Sequence, residues 1–319
     1  MIKDRILVVD GLNLFTRHYV AHPGMTENGD QIGGMVGFFN NLMRLIERCR
    51  PENVYVVWEG GRAKRKTDLY SEYKKGSRPQ KLNRYYNDIP DTVQNKNFQM
   101  KSLIELLKLT PVNQLYVENS EADDIIGYLC KYKFKQKNKI IVSSDHDYYQ
   151  LLSKDTLIWS PTLKAFVNCD KVISRFNVHP NNFCLAKCVV GDKSDNIPGV
   201  KGVGYKVLTK CLERFSKKDF YEMDDLFSDV KKMAGVSKRK IFGDISASEN
   251  LIRRNWKLVF LDTQNLTHFQ IQKIDKSIEN YHITWKNMKA HKLLNELGIK
   301  SIDILKCGHL LRQLSAGDC

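Results

Sequence analysis

The sequence contains no apolar run long enough to cross a bilayer. Its longest, such as Val54 to Trp58, fall far short of the roughly 18 residues a helical span needs. It also lacks a secretory h-region, since Lys3, Asp4 and Arg5 lead straight into a strand-like segment. A non-secreted protein of the cytoplasm is expected, with no membrane partner. No C-x-x-C pair occurs among the eight cysteines, so no zinc or dithiol-redox framework is written here. Cys184 and Cys188, four apart, read as one core-facing side of a helix, and a reducing compartment is the simplest setting. There is no internal repeat, low-complexity stretch or obvious linker. A P-loop and a G-x-S-x-G elbow are both absent, which leaves NTPase and serine-hydrolase chemistry without support.

Negative charge is in short supply as well: 36 Asp and Glu stand against 51 Lys and Arg, a formal charge of +15. Such an excess favours polyanionic partners. Its distribution is informative. Between Gly61 and Lys81 lie Arg62, Lys64, Arg65, Lys66, Lys74, Lys75, Arg78 and Lys81, with only Asp68 and Glu72 opposing them. Tyr70 and Tyr73 are interleaved, and Tyr85 and Tyr86 follow. Cations that track phosphates beside rings that stack on bases are the ingredients of a single-strand site. A membrane-surface helix would show a continuous apolar face instead. A further run, Lys131 to Lys139, reads as a cationic helix end.

With 319 residues the chain has room for about two domains. Arg5 to Asp10, Asn53 to Trp58, Gln114 to Val117 and Lys139 to Ser144 read as strands. Helical spacing joins Met35 to Cys49, Phe98 to Leu109 and Glu121 to Tyr132. Strands alternating with helices predict an α/β fold with a central, mostly parallel sheet flanked by helices. From about Phe176 the pattern is mostly helical. Ser246-Ala-Ser-Glu249 predicts a capping box opening a helix, and Trp285 to Leu297 a last helix. In such sheets ligands bind at the carboxyl ends of strands, where Asp10, Glu59 and Asp145 all fall.

Nine acidic residues form five clusters: Asp10; Glu59; Glu121, Asp123 and Asp124; Asp145 and Asp147; Asp192 and Asp195. Each has a bland reading. Ser120-Glu-Ala-Asp123 fits a helix start, Ser144-Asp-His-Asp147 a strand-to-helix turn, and Gly191 to Asp195 an Asx-turn loop. Gathered at one sheet end, they would repel strongly and raise each other's pKa values unless divalent cations intervened. An all-oxygen set points to Mg²⁺ or Mn²⁺ rather than zinc, and His146 is read as facing away. Paired ions of this kind serve phosphodiester hydrolysis.

In this order the clusters resemble the 5′ nuclease superfamily of flap endonucleases, bacteriophage 5′-exonucleases and the 5′ nuclease domain of bacterial DNA polymerase I. The likeness runs from Ile6 to Phe215. It rests on Val8-Val-Asp-Gly-Leu-Asn13 with Arg17, Glu121-Ala-Asp-Asp124, Ser144-Asp-His-Asp147, Gly191-Asp-Lys-Ser-Asp195 and the glycine run Gly199, Gly202, Gly204. The resemblance implies a PIN-like or resolvase-like core (1–175) carrying a basic helical arch (about 61–95). It further implies a helical DNA-binding subdomain (176–270) whose helix–three-turn–helix spans 199–204, and a C-terminal helical extension (271–319) packed on the core.

By position it implies Asp10, Glu121 and Asp123 as ligands of a first ion. Asp145, Asp147, Asp192 and Asp195 would serve a second, with Asp124 acting through water. Glu59 replaces the family's usual Asp and can reach a metal directly or through water. Arg17 would hold the reacting phosphate, Tyr73 stack on a base, Arg78 guide the 5′ strand, and either Lys74 or Lys75 steady the scissile phosphate. Gly199 to Gly204 with Lys201 and Lys206 would grip duplex DNA, with K⁺ at the hairpin. The function implied is a stand-alone, monomeric, Mg²⁺-dependent 5′-flap endonuclease and 5′→3′ exonuclease. It would act on branched or 5′-flap duplex DNA and RNA-primed ends in replication and repair, in the cytoplasm or at the nucleoid, or in a host's cytoplasm if viral. A catalytically weak DNA-binding relative and a PIN-like ribonuclease are the alternatives.

Overall fold

The computed structural model describes residues 5–76, 92–237, 239–282 and 285–315. Arg78, Lys81, Tyr85 and Tyr86, and with them residues 77–91 of the expected arch, lie outside the described residues.

Five parallel strands and one antiparallel strand form a single sheet. They are β1 (Arg5–Asp10), β2 (Asn53–Trp58), β3 (Asn113–Tyr116), β4 (Asn138–Val142), β5 (Thr156–Ser160) and β6 (Ala165–Val167), in the order β3-β2-β1-β4-β5-β6. The strand sequences are apolar at successive positions because both faces are covered. Period-two alternation then sends neighbours to opposite cores. Ile6, Val8, Tyr55, Val57 and Ile141 join one cluster, whereas Leu7, Val9, Val54, Val56, Ile140 and Val142 join the other.

The second cluster is closed by α1 (Gly11–Ala21), α2 (Gly33–Cys49), α4 (Val93–Leu107), α13 (Asn287–Glu296) and α14 (Ile304–Ser315). The amide of Gln99 on α4 reaches across to the start of α2, where its oxygen accepts from the backbone N–H of Gly34 (2.8 Å) and Met35 (3.3 Å). Two donors that a helix start leaves unsatisfied are thereby paired. Opposite, α5 (Ala122–Tyr128), α6 (Cys169–Phe176), α7 (Pro180–Val190), α8 (Tyr205–Cys211), α9 (Met223–Val236), α10 (Lys240–Ala247), α11 (Glu249–Val259) and α12 (His268–Glu279) pack with the sheet around the first cluster. A short α3 (Lys64–Leu69) follows β2. The helical half therefore shares its core with the sheet, and α12 runs through the 270/271 division expected from sequence.

The chain adds β1, β2 and β3 to one side, then crosses to build β4 and β5 on the other. That reversal is the topological switch point where doubly wound sheets bind ligands. Asp10, Glu59 and Asp145 end or follow three adjacent strands there.

Several local expectations change. Glu121, not Ser120, is the N-cap of α5, with no side-chain cap, because the Ser120 hydroxyl donates to the Val117 carbonyl (2.6 Å). The Ser246–Glu249 box does not form: α10 still includes Ser246, and Ser248 precedes α11 without a side-chain cap. The helix at 287–296 is not the last, since α14 follows. The Lys131–Lys139 run tethers rather than dangles: Lys131 donates to the Leu261 carbonyl, Lys133 pairs with Asp275 and Glu279, and Lys139 caps the carbonyls of Phe134 and Lys135. No helix among the described residues is long and apolar enough to cross a membrane.

Two glycines of the 199–204 run differ in kind. A Cβ on Gly199 would sit 2.0 Å from the Val190 carbonyl oxygen, whereas Gly202 has φ of +77° and open space around it. Gly199 thus serves packing of the turn against α7, and Gly202 serves its left-handed bend. Gly199→Ala is expected to cost more than Gly202→Ala, about 3 kcal/mol or above against about 1–2 kcal/mol. Urea denaturation of the two variants checks the order.

Candidate metal and nucleic-acid site

Asp10 closes β1 and caps α1, accepting from the Asn13 N–H (3.1 Å) while the Ser143 and Tyr148 hydroxyls donate to its other oxygen (3.2 and 3.1 Å). Burial, with Asp145 adding to it, pushes its pKa up to about 6. Glu59 accepts from the Ala122 N–H (3.2 Å), the first residue of α5. Burial raises its pKa to about 8, helped by the charges of Asp123, Asp10 and Glu121. Glu59 therefore lies in the field of the same carboxylates, as its place in the sequence suggested.

The Glu121–Asp124 cluster is organised by cations. Lys66, wholly buried on α3, reaches Glu121 (3.2 Å), Asp123 (3.4 Å) and Asp124 (3.1 Å). Lys74 donates to Glu121 as well (2.8 Å), and so does the Tyr73 hydroxyl (2.8 Å). Burial opposes ionisation of Asp123, but Lys66 and Lys74 outweigh it and hold its carboxyl below the usual value. Asp124 goes the other way, to about 6, because burial dominates; its Oδ1 accepts from the Asn265 amide (2.7 Å).

A second set faces it. Asp145 caps the 3₁₀ turn His146–Leu151, accepting from the Asp147 N–H (2.9 Å). Carboxylate oxygens of Asp147, Asp192 and Asp195 lie within 4.8 Å of one another. Lys187, buried on α7, donates to Asp147 and pairs with Asp192 (2.5 Å). Burial raises Asp147 to about 7 and Asp195 to about 6. Burial also works against Asp192, but Lys187 and the Ser194 hydroxyl and N–H overcome it and bring Asp192 down to about 2. The two sets are stitched together at backbone carbonyls: the Lys74 N–H donates to the Asp195 carbonyl (2.9 Å), and the Asn196 side-chain amide to the Glu72 carbonyl (2.9 Å).

All nine acids thus come to one region, joined by direct hydrogen bonds or by mutual electrostatic influence. The remaining residues fall as follows. Arg17 is exposed on α1. Lys75 pairs with Glu72 on the surface (3.0 Å), so of the two lysines Lys74 is the one directed at the carboxylates. Tyr73 corrects the sequence expectation: it is 1% exposed, with its hydroxyl on Glu121, and has no ring face free to stack on a base. The spacing of Lys66, Tyr70 and Tyr73 puts them on one inward side, and the pull of Glu121 on the phenol fixes it there. Lys201 is exposed in the 199–204 turn, and Gly204 is the N-cap of α8, which carries Lys206. His146 stacks on Tyr149 (4.8 Å) and meets Phe176 edge to face (5.6 Å).

Sequence reasoning missed Lys187, Tyr148 and the inward role of Lys66. Lys187 carried a signal, being one lysine inside the apolar stretch Phe183 to Val190. Lys66 was counted among phosphate-tracking cations, and Tyr148 carried none.

An acidic, oxygen-only cluster at a switch point, on a basic protein, defines a metal-binding nuclease class. A family model described as the 5′-3′ exonuclease, N-terminal resolvase-like domain, matches residues 5–177. The chain is 32% identical over 251 residues to a 5′-3′ exonuclease of Aquifex aeolicus, covering 78% of this chain and 81% of that one. It is 26% identical over 277 residues to the flap endonuclease Xni of Shewanella halifaxensis, covering 85% and 100%. The fold is shared with bacteriophage T5 flap endonuclease, solved with DNA and metal ions, at a TM-score of 0.65 and 20% identity over 96% of this chain and 99% of that one. The chain belongs to the 5′-3′ exonuclease family, and is an enzyme of that family with an acidic metal-binding cluster.

Two expectations follow for the metal-free protein. Glu59, Asp10, Asp195 and Asp147 have folded-state pKa values above their ordinary ones, so the native state holds more protons than the unfolded chain between about pH 4 and 8. Their contribution to stability is complete at the acid end and is lost as pH rises through the folded values. In chelator, the urea midpoint should be lower at pH 8 than at pH 5, and Glu59→Gln should flatten the difference. A higher midpoint at pH 8 would contradict this. Removing one buried cation by Lys66→Met takes an ion-pair partner from Glu121, Asp123 and Asp124 at once. Destabilisation of roughly 3–5 kcal/mol is expected without divalent ions, partly restored by Mn²⁺, and urea melts with and without the ion measure it.

Proposed function

We propose that this enzyme is a structure-specific 5′ nuclease. It hydrolyses a phosphodiester near the junction of a 5′-flap or branched duplex and also removes nucleotides from 5′ ends, with DNA or RNA-primed strands as substrate. The observation that carries the reading is the convergence of the nine carboxylates with Lys74 on one sheet end, beside a glycine turn bearing Lys201 and Lys206. The ions that suit the site are Mg²⁺, with Mn²⁺ as substitute, because every anionic donor is a hard oxygen. The residues to hold them are Asp10, Glu59, Glu121, Asp123 and Asp124 on one side, and Asp145, Asp147, Asp192 and Asp195 on the other. Bound there, two divalent ions supply activation of water and relief of charge on the leaving oxygen.

The protein's own groups set the rest. Tyr148 and Ser143 fix the orientation of Asp10. Lys74, only partly exposed, brings a cation to the edge of the acidic cluster, where a phosphate must enter. Arg17 and Arg78 are assigned to the phosphate and the 5′ strand. The 199–204 turn and α8 are assigned to the duplex backbone, with K⁺ at the turn. Lys66 and Lys187 neutralise buried acid and keep the carboxylates aimed inward. The protein acts as a monomer in this reading, in the cytoplasm or at the nucleoid.

Asp10→Asn and Asp145→Asn should each lower cleavage of a labelled 5′-flap duplex by on the order of 10²-fold or more. Excess EDTA should abolish it in the wild type. Full activity in both variants would remove the metal mechanism. Duplex affinity should fall steeply with salt, by about 0.9 in log–log slope for each phosphate neutralised. A slope near zero would refute the electrostatic part.

A further inference from the structure

A cavity of about 900 Å³ runs along the outer edge of the sheet, between α4 and α12, with β3 as its floor. Its walls are Met100 and Ile104 of α4 and the lysines of α12, and at one end it reaches Glu59. It is therefore continuous with the carboxylate site. The walls are held apart by bonds at both ends. The Gln270 amide donates to the carbonyls of Glu118 (3.0 Å) and Asn119 (3.1 Å). At the other end, the Tyr281 hydroxyl donates to the Thr110 carbonyl (3.2 Å), and the Lys286 N–H to the Leu109 carbonyl (2.9 Å).

Charge on α12 is divided between its sides. Its acids look away from the groove: Asp275 takes Tyr128 (3.0 Å) and Lys133 (2.9 Å), and Glu279 takes Lys133 (3.2 Å). Its lysines, Lys273 and Lys276, line the groove and have no ion pair among the described residues. Lys108 lines it too but is shared with Glu105 (2.7 Å). The one acid in the lining is Glu59. Tyr116, 51% exposed, is in register with Trp58, the residue before Glu59, so a free aromatic ring stands where the groove meets the site. Unpaired cations, an exposed ring and an apolar wall suit a chain of phosphates and bases. An amphipathic peptide would need the apolar wall but would leave Lys273 and Lys276 without a purpose.

We propose that this groove carries single-stranded polynucleotide away from the carboxylate site, with Tyr116 stacking on a base and Lys273 and Lys276 following the phosphates. The inference rests on the nuclease reading above and assigns a path for the strand that leaves the reacting phosphate.

The test compares the wild type, the Lys273→Glu/Lys276→Glu double variant, Tyr116→Ala, and Lys289→Glu/Lys306→Glu. The last pair changes net charge equally on exposed positions of α13 and α14. Two readouts are taken: the Kd for a fluorescent oligothymidylate, and KM and kcat on duplexes with a 5′ flap of one or ten nucleotides. The groove variants should weaken oligothymidylate binding about tenfold. They should raise KM about tenfold for the long flap and less than twofold for the short one, with kcat unchanged. The control pair should alter neither ratio. Equal effects on both flaps, or equal effects of groove and control variants, overturn the proposal. A wild type that binds oligothymidylate through the groove lysines but cuts neither flap upholds the groove and overturns the nuclease reading instead.

Discussion

Carboxylates gathered at the carboxyl ends of three adjacent strands repel one another, and the protein answers that repulsion with buried ammonium groups. Lys66 sits among Glu121, Asp123 and Asp124, and Lys187 sits between Asp147 and Asp192. Lys74 joins the first set from the partly exposed side. An isolated charge at any of these depths would be costly. Paired and hydrogen-bonded, each holds several acids in place. The rest of the site follows from this balance. Glu59 and Asp10, which form no ion pair among the described residues, both have raised pKa values, and they mark where positive charge is still wanted.

The fold serves that arrangement. A parallel sheet buried on both faces delivers Asp10, Glu59 and Asp145 side by side, and the reversal of strand order between β1 and β4 opens the crevice above them. The helical half contributes Lys187, Asp192 and Asp195 from α7 and the loop after it. That loop is fixed by paired hydrogen bonds between Asp192 and Ile197 and by Asn255, whose amide donates to the carbonyls of Cys188 (2.9 Å) and Pro198 (2.8 Å). Because one hydrophobic cluster runs from the sheet through α7 to α12, the second carboxylate set is held rigidly against the first.

Much of this was legible in the residues. The strands announced themselves as short apolar runs ending in acids, and the acidic clusters could be read as one site because four of the five fell after strands or at a helix start and all five stood in the order of a known family. What escaped has physical reasons. A lysine in a basic segment reads as solvent-facing. Only tertiary placement shows Lys66 turned inward, because the attraction of three carboxylates exceeds its desolvation cost. Tyr73 looked like a stacking ring, yet its hydroxyl finds a buried carboxylate and the ring is sealed with it. The serine-led helix starts at 120 and 246 failed for local reasons: Ser120 turns its hydroxyl back to Val117, and α10 continues through Ser246. The groove beside β3 had no sequence signal, since its walls come from segments about 170 residues apart, at Met100 and Lys273.

The central claim is that the buried acids form two divalent-ion sites whose charge is shared in the metal-free protein by lysines. Anomalous scattering from a crystal of the wild-type protein soaked in Mn²⁺ tests it most directly. The account predicts two peaks, one among Asp147, Asp192 and Asp195 and one among Asp10, Glu121 and Asp123, with the Lys187 ammonium drawn back from the carboxylates. A difference map with no peak among these side chains, and with Lys187 still seated between Asp147 and Asp192, would contradict it.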